Sequence, residues 1–165
     1  MTVQTTTRSD EKYLARAIDI ATQNVKEQGG PFGALIVTAD GQEFAGVNRV
    51  TANLDPTAHA EVSAIRAACT GVGSFDLSGA VLYTSCEPCP MCLASSLWAR
   101  LDRIVFAANR DDAARAGFDD AAFYRFFDEP QVRDSMLPVA AVPLDDQTRT
   151  APFIEWGITA NRIEY

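Results

Sequence analysis

Histidine is nearly absent from this sequence: His59 is the only one in 165 residues, so any imidazole chemistry falls to a single side chain. Positive charge is also scarce. Fourteen basic residues stand against 22 acidic ones, a formal net charge of −8. That balance opposes non-specific attraction to nucleic acid phosphates, and no basic, aromatic-rich stripe marks a nucleic-acid module. No apolar run approaches the length that crosses a bilayer. The stretch from Met1 to Asp10 is polar and lacks an apolar core, so no secretory signal is expected. Internal repeats, low-complexity tracts and linkers are missing as well. What is left is a length suited to one compact domain, residues 1–165, with 47% hydrophobic and 22% charged residues.

Cysteine is uncommon too, but three of the four are concentrated in one stretch, Cys86-Glu87-Pro88-Cys89-Pro90-Met91-Cys92. Thiols this close bind a metal or do redox work, and without a secretory signal they point to a reducing cytoplasm. Upstream, Pro56-Thr57-Ala58-His59-Ala60-Glu61 places the lone histidine two residues before a glutamate. One imidazole and two thiolates suit zinc, and three protein ligands leave a fourth position open.

The coarse pattern alternates helices and strands. Leu14, Ala17, Ile18, Ala21 and Val25 recur at helical spacing, with Ser9 or Asp10 as the expected cap and Gln28-Gly29-Gly30-Pro31 as the stop. Two extended segments, 33–38 and 43–48, flank an Asp-Gly turn and predict an antiparallel hairpin. A second helix is expected from Asp55-Pro56-Thr57 to about Cys69, then a buried strand over 80–84. A third helix is expected from Pro88 or Pro90 to about Ala99, and a strand over 103–107. Beyond these, 123–127 reads as helical, 137–142 as extended, and Pro152 to Arg162 as a last helix. The alternation indicates an α/β sandwich.

Cys89 and Cys92, three apart, fall on one face of a helix's first turn. There the helix dipole and unpaired amides favour thiolates. Cys86 precedes the turn and is expected to point elsewhere. Glu61 is the expected proton shuttle, acting beside the metal without binding it. Two other readings compete. A bacterial-type iron–sulfur run needs a further cysteine where Ser96 stands. A structural zinc module would close the site with Cys86 and His59 as the remaining ligands, leaving Glu61 without a task.

A His-x-Glu followed by Pro-Cys-x-x-Cys is the signature of the zinc-dependent base deaminases. The likeness extends to Pro31-Phe32-Gly33-Ala34, Asn48, Tyr83-Thr84-Ser85, Trp98-Ala99-Arg100, Ala116-Gly117-Phe118-Asp119-Asp120 and Glu164-Tyr165. Together these resemble the bacterial guanine deaminase branch of the cytidine deaminase superfamily. The resemblance implies a three-layer α/β/α sandwich with a mixed sheet of about five strands. It implies one zinc per chain on His59, Cys89 and Cys92, with Glu61 as catalytic acid–base and Asp120 assisting the substrate amine. It also implies that Phe32, Asn48, Ala60, Trp98 and Tyr165 meet the base. The branch deaminates free guanine; its relatives act on triazines such as ammeline, on cytosine-like rings such as 5-azacytosine, on guanosine, or on transfer RNA adenosine. A homodimer is implied, with the segment from about 150 to 165 closing over the base from its own chain or a swapped partner. Arg49 and Ala94-Ser95-Ser96-Leu97 depart from the family's pattern beside the pocket.

Overall fold

The computed structural model describes Thr7 to Glu164, so Tyr165 lies outside the described residues. Two compact units divide the chain, Met1–Tyr124 and Arg125–Tyr165.

In the first unit the strand signals give β1 (Gly33–Val37), β2 (Glu43–Val47), β3 (Val81–Cys86) and β4 (Arg103–Ala108). Among the described residues they form one sheet in the order β2-β1-β3-β4, four strands against the five or so implied by the resemblance. β1 runs antiparallel to β2 and β3, while β3 and β4 are parallel, so the sheet is mixed. Side chains alternate across it. Ala34, Ile36 and Leu82 face one core, whereas Leu35 and Tyr83 face another. Helix α1 (Arg8–Lys26) covers the second face with Ala17. Helix α3 (Ala60–Val72) covers the first with Ala60, Ala64 and Ala68, all fully buried. A layer of helix on each face is the sandwich that the alternation predicts.

Several boundaries move from their expected places. The cap of α1 is Thr7, whose Oγ1 accepts from the Asp10 amide (3.2 Å) while Asp10 Oδ2 accepts from the Thr7 amide (2.7 Å). Asp10 is thus the third helical residue of a capping box, and not the cap. At the other end Gln28, not a glycine, takes the left-handed conformation (φ 64°). The second predicted helix begins later than Asp55. A short helix α2 (Val50–Asn53) comes first, and α3 starts only after His59. Asp55 instead makes a local turn, accepting from the Thr57 amide (2.8 Å) and hydroxyl (2.7 Å). Helix α4 (Pro90–Trp98) and strand β4 match expectation to within a residue or two, and α5 (Arg110–Arg115) follows, capped by Asn109. Helix α6 (Ala121–Asp128) contains the predicted 123–127 stretch and spans the division.

The second unit holds α7 (Pro130–Met136) and α8 (Asp146–Ile158). The strand expected over 137–142 does not form; no regular structure covers 138–145. Helix α8 begins six residues before Pro152, capped by Asp145, which accepts from the Thr148 amide (3.0 Å). Pro152 lies inside the helix although it has no amide hydrogen to give the preceding turn. Reading proline as a helix start was the error.

Asp10 also ties α1 to the sheet. Its buried carboxylate takes two hydrogen bonds from Arg103 (2.6 and 3.2 Å) and one from the Tyr83 hydroxyl (2.8 Å). The guanidinium first, then the Thr7 and Tyr83 donors, hold its pKa far below the usual carboxylate range. Removing Arg103 strands a buried charge, so Arg103→Ala should lose on the order of 3 kcal/mol of stability. A depressed pKa stabilises the fold above the unfolded value near pH 4 and stops doing so as pH falls towards the folded value. Urea melts should therefore separate wild type from Asp10→Asn at pH 7 and bring them together in strong acid. A gap independent of pH would deny the carboxylate this part.

Candidate active site

His59 occupies the N-cap of α3 with extended backbone (φ −69°, ψ 156°). Cys89 occupies the N-cap of α4 in nearly the same conformation (φ −67°, ψ 168°). N-cap positions favour Ser, Thr, Asp and Asn because their side chains bond back to the helix amides. Neither His59 nor Cys89 makes that bond, so both are free to point at something else. Pro90 fixes the first turn of α4 and places Cys92 within that turn.

The three side chains converge. His59 Nδ1 lies 3.6 Å from Cys89 Sγ and 3.5 Å from Cys92 Sγ, and all three ligand atoms fall within 4.8 Å of one another. Zinc bonded at about 2.3 Å to sulfur and about 2.0 Å to nitrogen, at tetrahedral angles, needs nitrogen and sulfur about 3.5 Å apart. The donor set and its spacing fit zinc. Cys86 does not join the cluster; its buried Sγ turns to the Asn109 carbonyl (3.8 Å), and burial pushes its pKa up to about 11. The closed four-ligand alternative therefore loses its fourth ligand.

The thiols are poised unequally. A hydrogen bond from the Cys92 thiol, and then the His59 ring, hold Cys89 down to about 4. That thiolate raises the pKa of His59 and, together with burial, that of Cys92. Glu61, in the first turn of α3, is buried, with 5% of its surface exposed, and desolvation raises its pKa. Its two oxygens have different neighbours. Oε1 accepts from the Thr84 hydroxyl (3.1 Å), while Oε2 lies 3.4 Å from Cys92 Sγ, beside the ligand cluster. Thr84 was not anticipated from the sequence. Its only signal was a polar residue in a strand otherwise buried on both faces.

Asp119 and Asp120 separate clearly. Asp119 Oδ1 accepts from the Ala121 amide at the start of α6 (2.9 Å). Asp120 is half-buried, and its pKa is raised by burial and then by the charge of the Cys89 thiolate. A brace fixes the segment that carries it. Arg110 donates through Nη2 and its amide to the Glu87 carboxylate (3.0 Å each) and lies 4.4 Å over the Tyr124 ring. The Tyr124 hydroxyl in turn donates to the Pro88 carbonyl (2.9 Å), immediately before Cys89. None of these three was expected to matter.

The remaining candidates are placed as follows. Phe32 and Asn48 are neighbours at the ends of β1 and β2; the Asn48 amide donates to the Phe32 carbonyl (3.2 Å). Phe118 meets the Phe32 ring edge-on at 5.0 Å. Ala60 opens α3 fully buried, and its amide is among those that a first helical turn leaves without an intrahelical partner. Trp98 is not brought to the cluster: it ends α4, eight residues or about 12 Å along the axis from Pro90, and is 68% exposed. Arg49 turns away to Glu27, its Nη2 3.2 Å from Oε2.

The cluster of one imidazole and two thiols, with a buried carboxylate at its edge, is that of a zinc hydrolase acting on an aminated base. Residues 7–108 match the model of the cytidine and deoxycytidylate deaminase zinc-binding region, and the chain belongs to that family. Within it, the sequence is 47% identical over 157 residues to guanine deaminase from Bacillus subtilis, covering 94% of this chain and 98% of that one. The crystal structure of guanine deaminase from that organism superimposes with a TM-score of 0.87 at 46% identity, again over 94% and 98% of the two chains. A solved complex with 2,6-diaminopurine matches at a TM-score of 0.64 and 32% identity, over 70% of this chain and 65% of that one. A tRNA-specific adenosine deaminase of Agrobacterium fabrum is 40% identical over 103 residues, 61% of this chain and 63% of the relative. Among the described residues, no helix is long and apolar enough to cross a membrane.

The purified protein should carry about one zinc per chain by elemental analysis. Cys89→Ser and Cys92→Ser should lose it, whereas Cys86→Ser should keep it. Zinc loss from Cys86→Ser would reinstate the closed structural site.

Proposed function

We propose that this protein hydrolyses the free base guanine to xanthine and ammonia. One observation carries the reading: the likeness to the Bacillus subtilis guanine deaminase runs over 94% of the chain and so enters both units. Similarity to the tRNA-specific adenosine deaminase spans only 61%. The net charge of −8 also suits a neutral base better than a polyanion.

Zinc held by His59, Cys89 and Cys92 would supply Lewis acidity, lowering the pKa of water to about 7. The protein's own groups do the rest. Glu61 Oε2 takes a proton from the attacking water and returns it to the ring nitrogen next to the carbon under attack. The second proton of that water, now on the hydroxyl of the attacked carbon, passes by the same carboxylate to the amine; the C–N bond breaks as the carbonyl forms, and ammonia leaves. The raised pKa of Glu61 favours this traffic near neutrality, because a group that must both accept and donate works best close to the ambient pH. The Thr84 hydroxyl holds Oε1 and so keeps Oε2 aimed at the cluster. Asp120 receives the departing amine. Asn48, with a donor and an acceptor on one amide, reads the lactam edge of the purine, and Phe32 packs against the ring.

The whole chain acts as one catalytic domain in a homodimer, and four free thiols suit a reducing cytoplasm. The last segment carries Phe153, Ile154, Trp156 and Ile158, all well exposed within its own unit. A tail this apolar is built to close over a base, in its own chain or a partner's, with Tyr165 and Trp98 as the further base-contacting residues that the family likeness implies.

Glu61→Ala should retain zinc and lose about 10²–10⁴ in rate; a metal-loaded variant of near-normal activity would remove Glu61 from the mechanism. On a panel of bases, ammonia should come from guanine, little from adenine, and none from adenosine in RNA. Turnover of ammeline or 5-azacytosine with guanine untouched would leave a zinc deaminase of another base. Deleting residues 161–165 should spare zinc content while slowing guanine turnover at least about tenfold, as loss of a lid does. Unchanged kinetics would show that the tail is no lid.

A further inference from the structure

We propose that Asn24 is a positioning residue, which works together with Gly30 to fix the orientation of Asn48 towards the base. This rests on the reading above that Asn48 contacts the substrate. Asn24 lies in the last turn of α1 on the stripe that faces the sheet, in line with Ala17 and Ala21. An apolar residue would continue that stripe. Instead a carboxamide is almost wholly buried there, and its Oδ1 is the one buried side-chain polar atom among the described residues without a hydrogen-bond partner. Burying an unsatisfied acceptor is unfavourable, so a gain elsewhere is needed to explain it.

The gain lies in the Asn24 donors. Nδ2 donates to the Asn48 carbonyl (2.9 Å) and to the Gly30 carbonyl (2.8 Å). Two acceptors on one side of the amide fix which end is nitrogen. The same two segments are joined again beyond it, because the Asn48 amide donates to the Phe32 carbonyl (3.2 Å), while the Phe32 amide folds back on the Gly30 carbonyl (2.8 Å). Asn24 therefore holds both segments at once, 24 residues from Asn48 and six from Gly30. The glycines make the arrangement possible. A β-carbon at Gly29 would sit 2.3 Å from Asn24 Oδ1, and one at Gly30 would sit 2.8 Å from Asn48 Oδ1. Contacts below 3 Å force something to move, and at Gly30 the group that must move is the base-reading amide itself.

The test is a pair of double-mutant cycles with guanine as the substrate and zinc content measured in every protein. Asn24→Ala should raise KM on the order of 10- to 100-fold while kcat stays within about threefold, the pattern of lost ground-state positioning. Gly30→Ala, which leaves the packing of α1 alone, should do the same and serves if Asn24→Ala does not fold. In an Asn48→Ala background both should have little further effect, since the group they act through is gone. Gly30→Ala should even be better tolerated there, because the atoms it meets have been removed. Equal KM losses in both backgrounds would mean that Asn24 and Gly30 serve the fold alone and would overturn the proposal. An Asn48→Ala enzyme with wild-type KM would overturn the reading of Asn48, and the proposal with it.

Discussion

Helix α3 lies closer to the sheet than any side chain at position 46 would permit. A β-carbon on Gly46 would come within 2.2 Å of the Ala60 carbonyl oxygen and 2.3 Å of the Ala64 amide. The bare glycine backbone of β2 therefore packs directly on the first turns of α3, where Ala60 and Ala64 present nothing larger than a methyl group. His59 and Glu61 flank Ala60, so this single close approach sets how deep both of them sit. A comparable contact, Gly33 against Ala17 and Ala21, seats α1 on the opposite face. Small residues on both sides of the sheet bring the helices near enough for polar groups to reach between layers. Tyr83 and Arg103 reach Asp10 on one side, and Thr84 reaches Glu61 on the other.

The chemistry depends on that depth. In water a glutamate would be ionised and flexible; under α3 it is desolvated, held through one oxygen by Thr84, and left with the other oxygen beside the ligands. The Cys89 thiolate spreads its influence through the site, raising the pKa of His59 and of Asp120. A dication among these groups would relieve the repulsion that the thiolate and two carboxylates otherwise impose.

Much of this was legible in the sequence because it is local. His59, Glu61, Cys89 and Cys92 are defined by short spacings and by the helix starts that follow them, and α4, β1, β2 and β4 follow from pattern and turn chemistry. What stayed hidden is non-local or hangs on a competing local rule. Thr84 and Asn24 acquire a role only when residues 23 and 24 positions away are folded against them. The Glu87–Arg110–Tyr124 brace looks in the sequence like ordinary surface charge beside an aromatic. The start of α3 was misplaced because Asp55-Pro56-Thr57 carries a helix-start signal, yet its carboxylate spends itself on Thr57 in a turn. In α8 the start is set by Asp145, which caps the helix through the Thr148 amide, so Pro152 falls inside it where local propensity would put a helix start. The expected base-side place of Trp98 came from likeness alone, and within one chain it stands at the far end of its helix.

The four central groups belong to only two helix starts. His59 caps α3 and Glu61 lies in its first turn, while Cys89 caps α4 and Cys92 lies in its first turn, so within each pair the backbone spacing is set by one helix start. What remains to be set is the placement of one helix start against the other. A metal held by His59, Cys89 and Cys92 would tie those two helix starts together. Little order has to be created when the ion arrives, since each half is already shaped by its own helix. The distance from the proton carrier to the metal position is likewise shielded: bending elsewhere in the chain shifts His59 and Glu61 together.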